Sequence, residues 1–222
     1  MAGWRTFVKV FTKLNEMKKV ADSTVRRLAL YLRFLDEFEG QGMETVSSEA
    51  LAQRGGTTSA QVRKDLSFFG SFGKRGLGYY VPELAAKLRE ILGLGRRYRV
   101  AIIGAGKMGS ALVQYRGFQQ RGFDVVSIFD NDSSKVGTRW NGLTVLSVDQ
   151  LESTLRSEPV DMAVIVTPAE VAQDLADRLV VLGVKAILNF APVQVTVPDD
   201  VVVKTVNLAL ELETLSYALH NR

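Results

Sequence analysis

Apolar residues in the first eighty positions recur mostly at helical spacing. From Ser23 onward, Val25, Leu28, Leu32, Leu35 and Phe38 fall three and four residues apart, the buried face of an amphipathic helix that Gly40 and Gly42 terminate. A short second helix is predicted at residues 48–53, capped by Ser47 and stopped by Gly55 and Gly56. In the third, Thr58 and Gln61 form a T-x-x-Q capping box ahead of Val62, Leu66 and Phe69, with Gly70 as the stop. Glycines then flank Lys74 and Arg75, and Tyr79, Tyr80 and Val81 favour a strand that Pro82 closes, so a β-hairpin is expected there. Helix, tight turn, helix and hairpin together read as a winged helix-turn-helix.

The pattern changes after Arg99. Val100-Ala101-Ile102-Ile103 is a continuous apolar run of the kind buried on both faces of a parallel sheet, and it leads into Gly104-Ala105-Gly106-Lys107-Met108-Gly109. A helix through Ala111, Leu112 and Tyr115 is expected next, then a strand from Phe123 to Phe129 that ends in Asp130. The rhythm repeats: an apolar run at 162–166 precedes Thr167-Pro168, a helix covers 169–182, and a run at 186–188 precedes Asn189-Phe190-Ala191-Pro192. Leu208, Leu212, Leu215 and Leu219 form a narrow apolar seam on a terminal helix, which either packs on its own sheet or crosses to a second subunit in a two-fold dimer. The expected class is α/β, an N-terminal winged helix-turn-helix domain followed by a C-terminal Rossmann domain with a parallel sheet and a terminal helix. The expected division is an extension at 1–22, the winged helix at 23–95, the dinucleotide-binding domain at 96–206 and a dimerisation helix at 207–222.

Composition narrows the chemistry. No apolar run approaches the ~20 residues that cross a bilayer, and the N-terminus lacks the apolar stretch of a secretory signal, so a cytoplasmic location is expected. With no cysteine there is no disulfide, thiolate nucleophile or cysteine-held metal, and the single histidine, His220, leaves little room for histidine general-base chemistry or a two-histidine metal site. The net charge of +4 conceals an asymmetry. Residues 1–99 carry 18 Lys and Arg against 10 Asp and Glu, whereas residues 100–222 carry 10 against 14. Attraction to a phosphate backbone therefore belongs to the first half.

On the third helix Ser59, Gln61, Arg63, Lys64 and Ser67 are the candidate DNA contacts, lying off the Val62, Leu66 and Phe69 stripe, and Lys74 and Arg75 are the candidates on the hairpin tip. Arg can bond guanine O6 and N7, Gln can do the same to adenine, and Lys mainly meets phosphate. In the second half residues 104–109 read G-x-G-x-x-G after a strand and before a helix, with Gly104 for the turn, Gly106 for close approach of a pyrophosphate and Gly109 for helix packing; Ala105, Lys107 and Met108 complete the loop. Asp130, 21 residues past Gly109, is placed to accept both hydroxyls of an adenosine ribose, which favours NAD over NADP. Asp132 beside it reads as a turn cap. Thr167, Pro168, Asn189, Phe190, Ala191 and Pro192 are candidates for the nicotinamide half of the site, with ordinary turns as the alternative. Coenzyme A is an alternative ligand for such a fold, and an NAD-dependent oxidoreductase with a helical cap is the alternative function, although it lacks an obvious acid-base partner.

The strings Tyr31-Leu32-Arg33, Gln61-Val62-Arg63-Lys64-Asp65-Leu66-Ser67, Gly70-Ser71-Phe72-Gly73, Arg75-Gly76-Leu77-Gly78-Tyr79, the 104–109 fingerprint and Leu188-Asn189-Phe190-Ala191-Pro192 resemble the Rex family of redox-sensing transcriptional repressors, from about Ser23 to the C-terminus. The resemblance implies a homodimer with swapped C-terminal helices that binds palindromic operator DNA when NAD⁺ prevails and lets go when NADH closes the Rossmann domains, with no catalytic step and no metal. It also implies that Tyr115 lies near the nicotinamide and that Arg33 pairs with an acidic residue at the start of the partner's swapped helix. Asn207 stands at that acidic position and cannot form an ion pair. Phe7, Phe11 and Leu14 hint at a basic amphipathic helix outside the resemblance, either adding DNA contacts or being an extension without a role.

Overall fold

The computed structural model describes residues 20–74 and 76–221. The helix expected around Phe7, Phe11 and Leu14 and the wing-tip Arg75 lie outside the described residues. The chain divides between Gly95 and Arg96 into two compact units.

The first unit runs α1 (Asp22–Gly40), β1 (Thr45–Val46), α2 (Ser48–Gly55), α3 (Ser59–Ser67), β2 (Tyr79–Tyr80) and α4 (Val81–Ile91). Leu28, Leu32, Leu35 and Phe38 of α1 meet Leu51, Val62, Leu66 and the α4 residues Leu84 and Leu88 in one core. Val25 does not join that stripe and is exposed; Thr24 and Tyr31 are buried in its place because both donate hydrogen bonds to the carboxylate of Asp65. Ser47 caps α2 by accepting the Ala50 N–H at 3.1 Å. The capping box at α3 forms by half: Thr58 Oγ1 accepts the Gln61 N–H at 3.1 Å, but the Gln61 amide turns to Asp65 instead of returning to Thr58.

The wing also differs from a simple hairpin. Tyr79 and Tyr80 pair antiparallel with Val46 and Thr45, and among the described residues a single bridge, Lys74 to Gly78, spans the turn. Pro82 does not end a strand but sits in the first turn of α4, where its missing N–H has no intrahelical partner to lose. This helix was not expected from the sequence, yet α4 packs along α1 and closes the core.

The second unit runs β3 (Tyr98–Ile103), α5 (Lys107–Gln114), α6 (Arg116–Gln120), β4 (Phe123–Asp130), β5 (Arg139–Trp140), β6 (Leu143–Ser147), α7 (Leu151–Ser157), β7 (Met162–Ile165), α8 (Ala169–Val181), β8 (Ala186–Asn189), β9 (Val202–Thr205) and α9 (Leu208–His220). The strands order as β5-β6-β4-β3-β7-β8-β9, parallel throughout except for β5 against β6. From β6 to β9 this is the strand order of the doubly wound dinucleotide fold.

Leu151 and Leu155 of α7 with Leu175 and Leu179 of α8 cover one sheet face over Ala101, Ile103, Ile165 and Ile187. On the other face Val113 of α5 packs with Ile102 and Ile128. That second face is not covered along its whole width: Val100, Phe123, Met162, Leu188 and Val202 line an apolar recess of about 290 Å³. Parallel sheets normally have both faces covered. The terminal helix does not do this within the chain, because none of its residues is buried and Leu208, Leu212, Leu215 and Leu219 are all more than half exposed. Packing of α9 on its own sheet is therefore excluded. Among the described residues no helix is long and apolar enough to cross a membrane.

Candidate functional site

On α3 the buried member is Asp65, fully shielded from solvent. Arg27 grips it with two bonds, Nε to Oδ2 at 2.6 Å and Nη2 to Oδ1 at 2.8 Å, Tyr31 donates its hydroxyl at 3.1 Å, and Gln61 Nε2 donates to Oδ1 at 2.8 Å. Burial alone would raise the Asp65 pKa, but the bonds from Arg27, Gln61 and Tyr31 outweigh it and hold the carboxyl below its ordinary value. Burial, then the Asp65 charge, pushes the Tyr31 hydroxyl up to about 12.

Gln61 is thus half-buried and held, where the sequence reading left it free; its i+4 neighbour claims the amide. Arg63 and Lys64 are exposed as expected. Arg63 Nη1 donates to Ser48 Oγ at 3.0 Å, and Arg63 lines a recess of about 590 Å³ with Ser47, Phe72, Lys74 and Leu77. Ser67 turns its hydroxyl back onto the Lys64 carbonyl at 2.7 Å, so its proton is spent within the helix. Ser59 is half-buried in the first turn.

In the second unit β3 and β7 are neighbours whose connections leave toward opposite edges of the sheet, and the loops at their carboxyl ends flank the crevice where this fold takes ligands. Gly104 has φ 111°, donates its N–H to the Phe129 carbonyl at 2.7 Å, and has no room for a side chain, since a Cβ would stand 2.4 Å from the Val166 oxygen. A Cβ on Gly109 would stand 1.9 Å from the Gly104 oxygen, so α5 lies against the turn. Gly106 faces open space with an ordinary φ of −82°, and α5 starts after it without a side-chain cap. The first-turn N–H groups of α5 are left for an anion. Across the crevice Thr167 Oγ1 is buried with no hydrogen-bond partner. These are features that a pyrophosphate and its attached sugars fit.

Asp130 is not reserved for a ribose. It is almost fully buried, Oδ2 accepts the Ala105 N–H at 2.6 Å and Oδ1 accepts the Asp132 N–H at 2.8 Å. Lys135 Nζ stands 3.4 Å from Asp130 Oδ2 and 3.2 Å from Asp132 Oδ2, a cation the sequence reading missed although it lies only five residues past the acid. Asp132 caps the following turn, accepting the Ser134 N–H at 2.9 Å and hydroxyl at 2.6 Å.

Three further expectations change. Tyr115 is not on α5: the helix ends at Gln114, the backbone extends, and the exposed ring meets Phe118 edge-on at 5.2 Å, with Gly117 leaving room for it. Asn189 and Ala191 are interior. Asn189 Oδ1 accepts the Ala191 N–H at 2.9 Å and Nδ2 donates to the Val193 carbonyl at 2.7 Å, so the amide shapes the loop, with half-buried Phe190 and exposed Pro192 as its outer residues. Asn207 Oδ1 accepts the N–H groups of Ala209 and Leu210 at 3.0 and 3.2 Å, the N-cap of α9. Arg33 is exposed on α1, and Lys107, Met108 and Pro168 are exposed at the crevice loops. Among the described residues no cluster has the composition of a metal site.

Two family models match the chain, one described as "CoA binding domain" over residues 96–193 and one as "Putative DNA-binding protein N-terminus" over residues 19–67. The chain is 49% identical over 199 residues to a protein of Carboxydothermus hydrogenoformans named redox-sensing transcriptional repressor Rex, covering 90% of this chain and 96% of that one. A protein of Syntrophomonas wolfei with the same name is 46% identical, covering 92% and 98%. Among solved structures, RSP in complex with β-NAD⁺ and operator DNA is similar with a TM-score of 0.87 at 39% identity, covering 92% of this chain and 94% of that one. RSP in complex with β-NADH is similar with a TM-score of 0.83 at 37% identity, covering 92% and 96%.

Proposed function

The chain belongs to the family of Rex redox-sensing transcriptional repressors, and on that premise we propose that it holds operator DNA through its first unit and reads the NADH to NAD⁺ ratio through its second. The observation that carries the reading is the pairing, in one chain, of exposed Arg63 and Lys64 on a helix-turn-helix with an uncapped glycine loop at the switch point of a doubly wound sheet. The relatives matched over nine-tenths of the chain are named repressors, which leaves the oxidoreductase alternative without support.

NADH and NAD⁺ share every adenosine and pyrophosphate group, so residues 104–109 and the region of Asp130 bind both alike. Selection then rests on the nicotinamide, neutral when reduced and cationic when oxidised. Thr167, Pro168, Phe190, Pro192 and Tyr115 offer it a surface without a carboxylate, which favours the neutral ring. A cofactor shifts DNA affinity only by its differential affinity for the two arrangements of the dimer. The dimer itself is supported by the unclaimed leucines of α9 and the half-covered sheet face, two apolar surfaces that a second copy covers by exchanging helices. Arg33 and Asn207 belong to that interface in this reading. Asn207 acts there as a helix cap and hydrogen-bond acceptor, so the switch does not run through an ion pair at this position. The operator is a palindrome read by two copies of α3, the protein works in the cytoplasm, and it performs no chemical step. Residues 1–22, 23–95, 96–206 and 207–222 then serve as extension, DNA-binding domain, cofactor domain and dimer helix. Calorimetric titration with NADH, NAD⁺ and coenzyme A in turn tests the cofactor half: NADH binding tightest supports it, and coenzyme A displacing NADH at equal concentration overturns it.

A further inference from the structure

Gln61 occupies the N-terminal turn of α3, the part of a recognition helix that reaches base edges. A glutamine amide presents a donor on one side and an acceptor on the other, and a free one rotates to suit either partner. This one is not free. Its Nε2 donates at 2.8 Å to Oδ1 of Asp65, a carboxylate that is wholly buried and ionised by its two bonds from Arg27. A carboxylate accepts only, so turning the amide over would set two oxygens against each other in a buried place. None of the bonds in the cluster uses Gln61 Oε1.

We propose that Asp65 fixes the polarity with which Gln61 meets DNA, committing the amide oxygen to the groove and making Gln61 a selector for a base that offers an exocyclic amine, adenine N6 or cytosine N4. Guanine O6 and thymine O4 present acceptors at the equivalent place in the major groove and are disfavoured by the same oxygen. Asp65 is then a positioning residue: it touches no base, and it transmits to Gln61 the constraint set by Arg27 and Tyr31 on α1. The proposal rests on the reading of the first unit as a DNA-binding domain.

The test is competition binding of the full-length protein to a duplex recovered from a random pool, with each base pair of one half-site varied over all four bases. At one position adenine or cytosine should bind at least about fivefold more tightly than guanine or thymine, the lower end of what one base-edge contact carries. Gln61→Ala should flatten the preference at that position and leave the others in place. Asp65→Asn, which can face the amide with either a donor or an acceptor, should let guanine or thymine back in at that position, while Tyr31→Phe, which keeps the carboxylate, should not. If Asp65→Asn fails to fold, Gln61→Ala still decides. An unchanged base profile in Gln61→Ala, or a native preference for guanine or thymine at the position it controls, overturns the proposal. Failure of the native protein to bind any duplex at low salt overturns the DNA-binding reading, and the proposal with it.

Discussion

Asp130 accepts the main-chain N–H of Ala105 at 2.6 Å, tying the end of β4 to the glycine turn after β3. The acid at the end of the second Rossmann strand therefore braces the glycine loop proposed to receive the pyrophosphate. Asp130→Ala is expected to weaken NADH by more than about tenfold and also to lower stability, because a buried N–H loses its acceptor, at about 1–3 kcal/mol. Calorimetric titration alongside a melting curve separates the two effects; unchanged NADH affinity would remove Asp130 from the site.

The glycines of the loop divide by what surrounds them. Gly106→Ala should leave the melting temperature almost unchanged, since nothing stands within 4 Å and φ is −82°, while NADH affinity falls steeply because the added methyl occupies the approach of the pyrophosphate. Gly109→Ala meets the Gly104 oxygen at 1.9 Å and should cost about 2 kcal/mol or more of stability with or without cofactor. Equal melting temperatures for the two variants would contradict this division.

Acid stability of the first unit follows from Asp65. A carboxyl whose folded pKa lies below its unfolded value contributes stability that is complete above the ordinary carboxylate pKa and is lost as pH falls through the lower folded value. Arg27→Met removes its strongest donor and leaves a buried carboxylate. Stability at neutral pH should fall by on the order of 3 kcal/mol, and that deficit should shrink as pH falls, because protonation relieves the unpaired buried carboxylate of the variant while it breaks the ion pair of the native chain. A deficit that stays constant from neutral pH into the acid range, followed by circular dichroism in denaturant, would refute the role given to Arg27.

The exposed seam of α9 makes a prediction about assembly. Leu212→Glu with Leu215→Glu should yield monomers in sedimentation while leaving both units folded, because neither side chain is buried within the chain. A dimer of native stability in that variant would show that the interface lies elsewhere.

Arg63 and Lys64 should behave differently on DNA. Arg63→Ala should relax discrimination between operator and random duplex, and Lys64→Ala should lower affinity evenly and reduce the salt slope by about one. Indistinguishable effects of the two substitutions on both quantities would contradict the assignment.

Much of this was legible in the pattern of residues. Periodicity placed α1, α2 and α3, and the run into Gly104, Gly106 and Gly109 gave the first strand, turn and helix of the second unit, because these features depend on near neighbours. Pairings between distant segments were not legible. Asp65 lies three residues from Val62 on the inward side of α3, but only the fold brings Arg27 and Tyr31 to it, and that meeting buries Thr24 instead of Val25 and takes Gln61 out of free rotation. Asn189 was a candidate ligand contact because it ends a strand of the parallel sheet, and what the sequence did not reveal is that its amide bonds the Ala191 and Val193 main chain. β5, β6, α7 and β9 were missed because each spans seven residues or fewer, too short for a periodicity to stand out.

The central claim is that the cofactor's redox state governs the grip on DNA. Fluorescence anisotropy of a labelled operator duplex, titrated with the native protein at fixed salt in saturating NADH, in saturating NAD⁺ and without cofactor, measures it directly. The account predicts operator affinity at least about tenfold weaker with NADH and within about twofold of the cofactor-free value with NAD⁺. Equal affinity with the two cofactors, or an operator held as tightly in saturating NADH as without it, would contradict it.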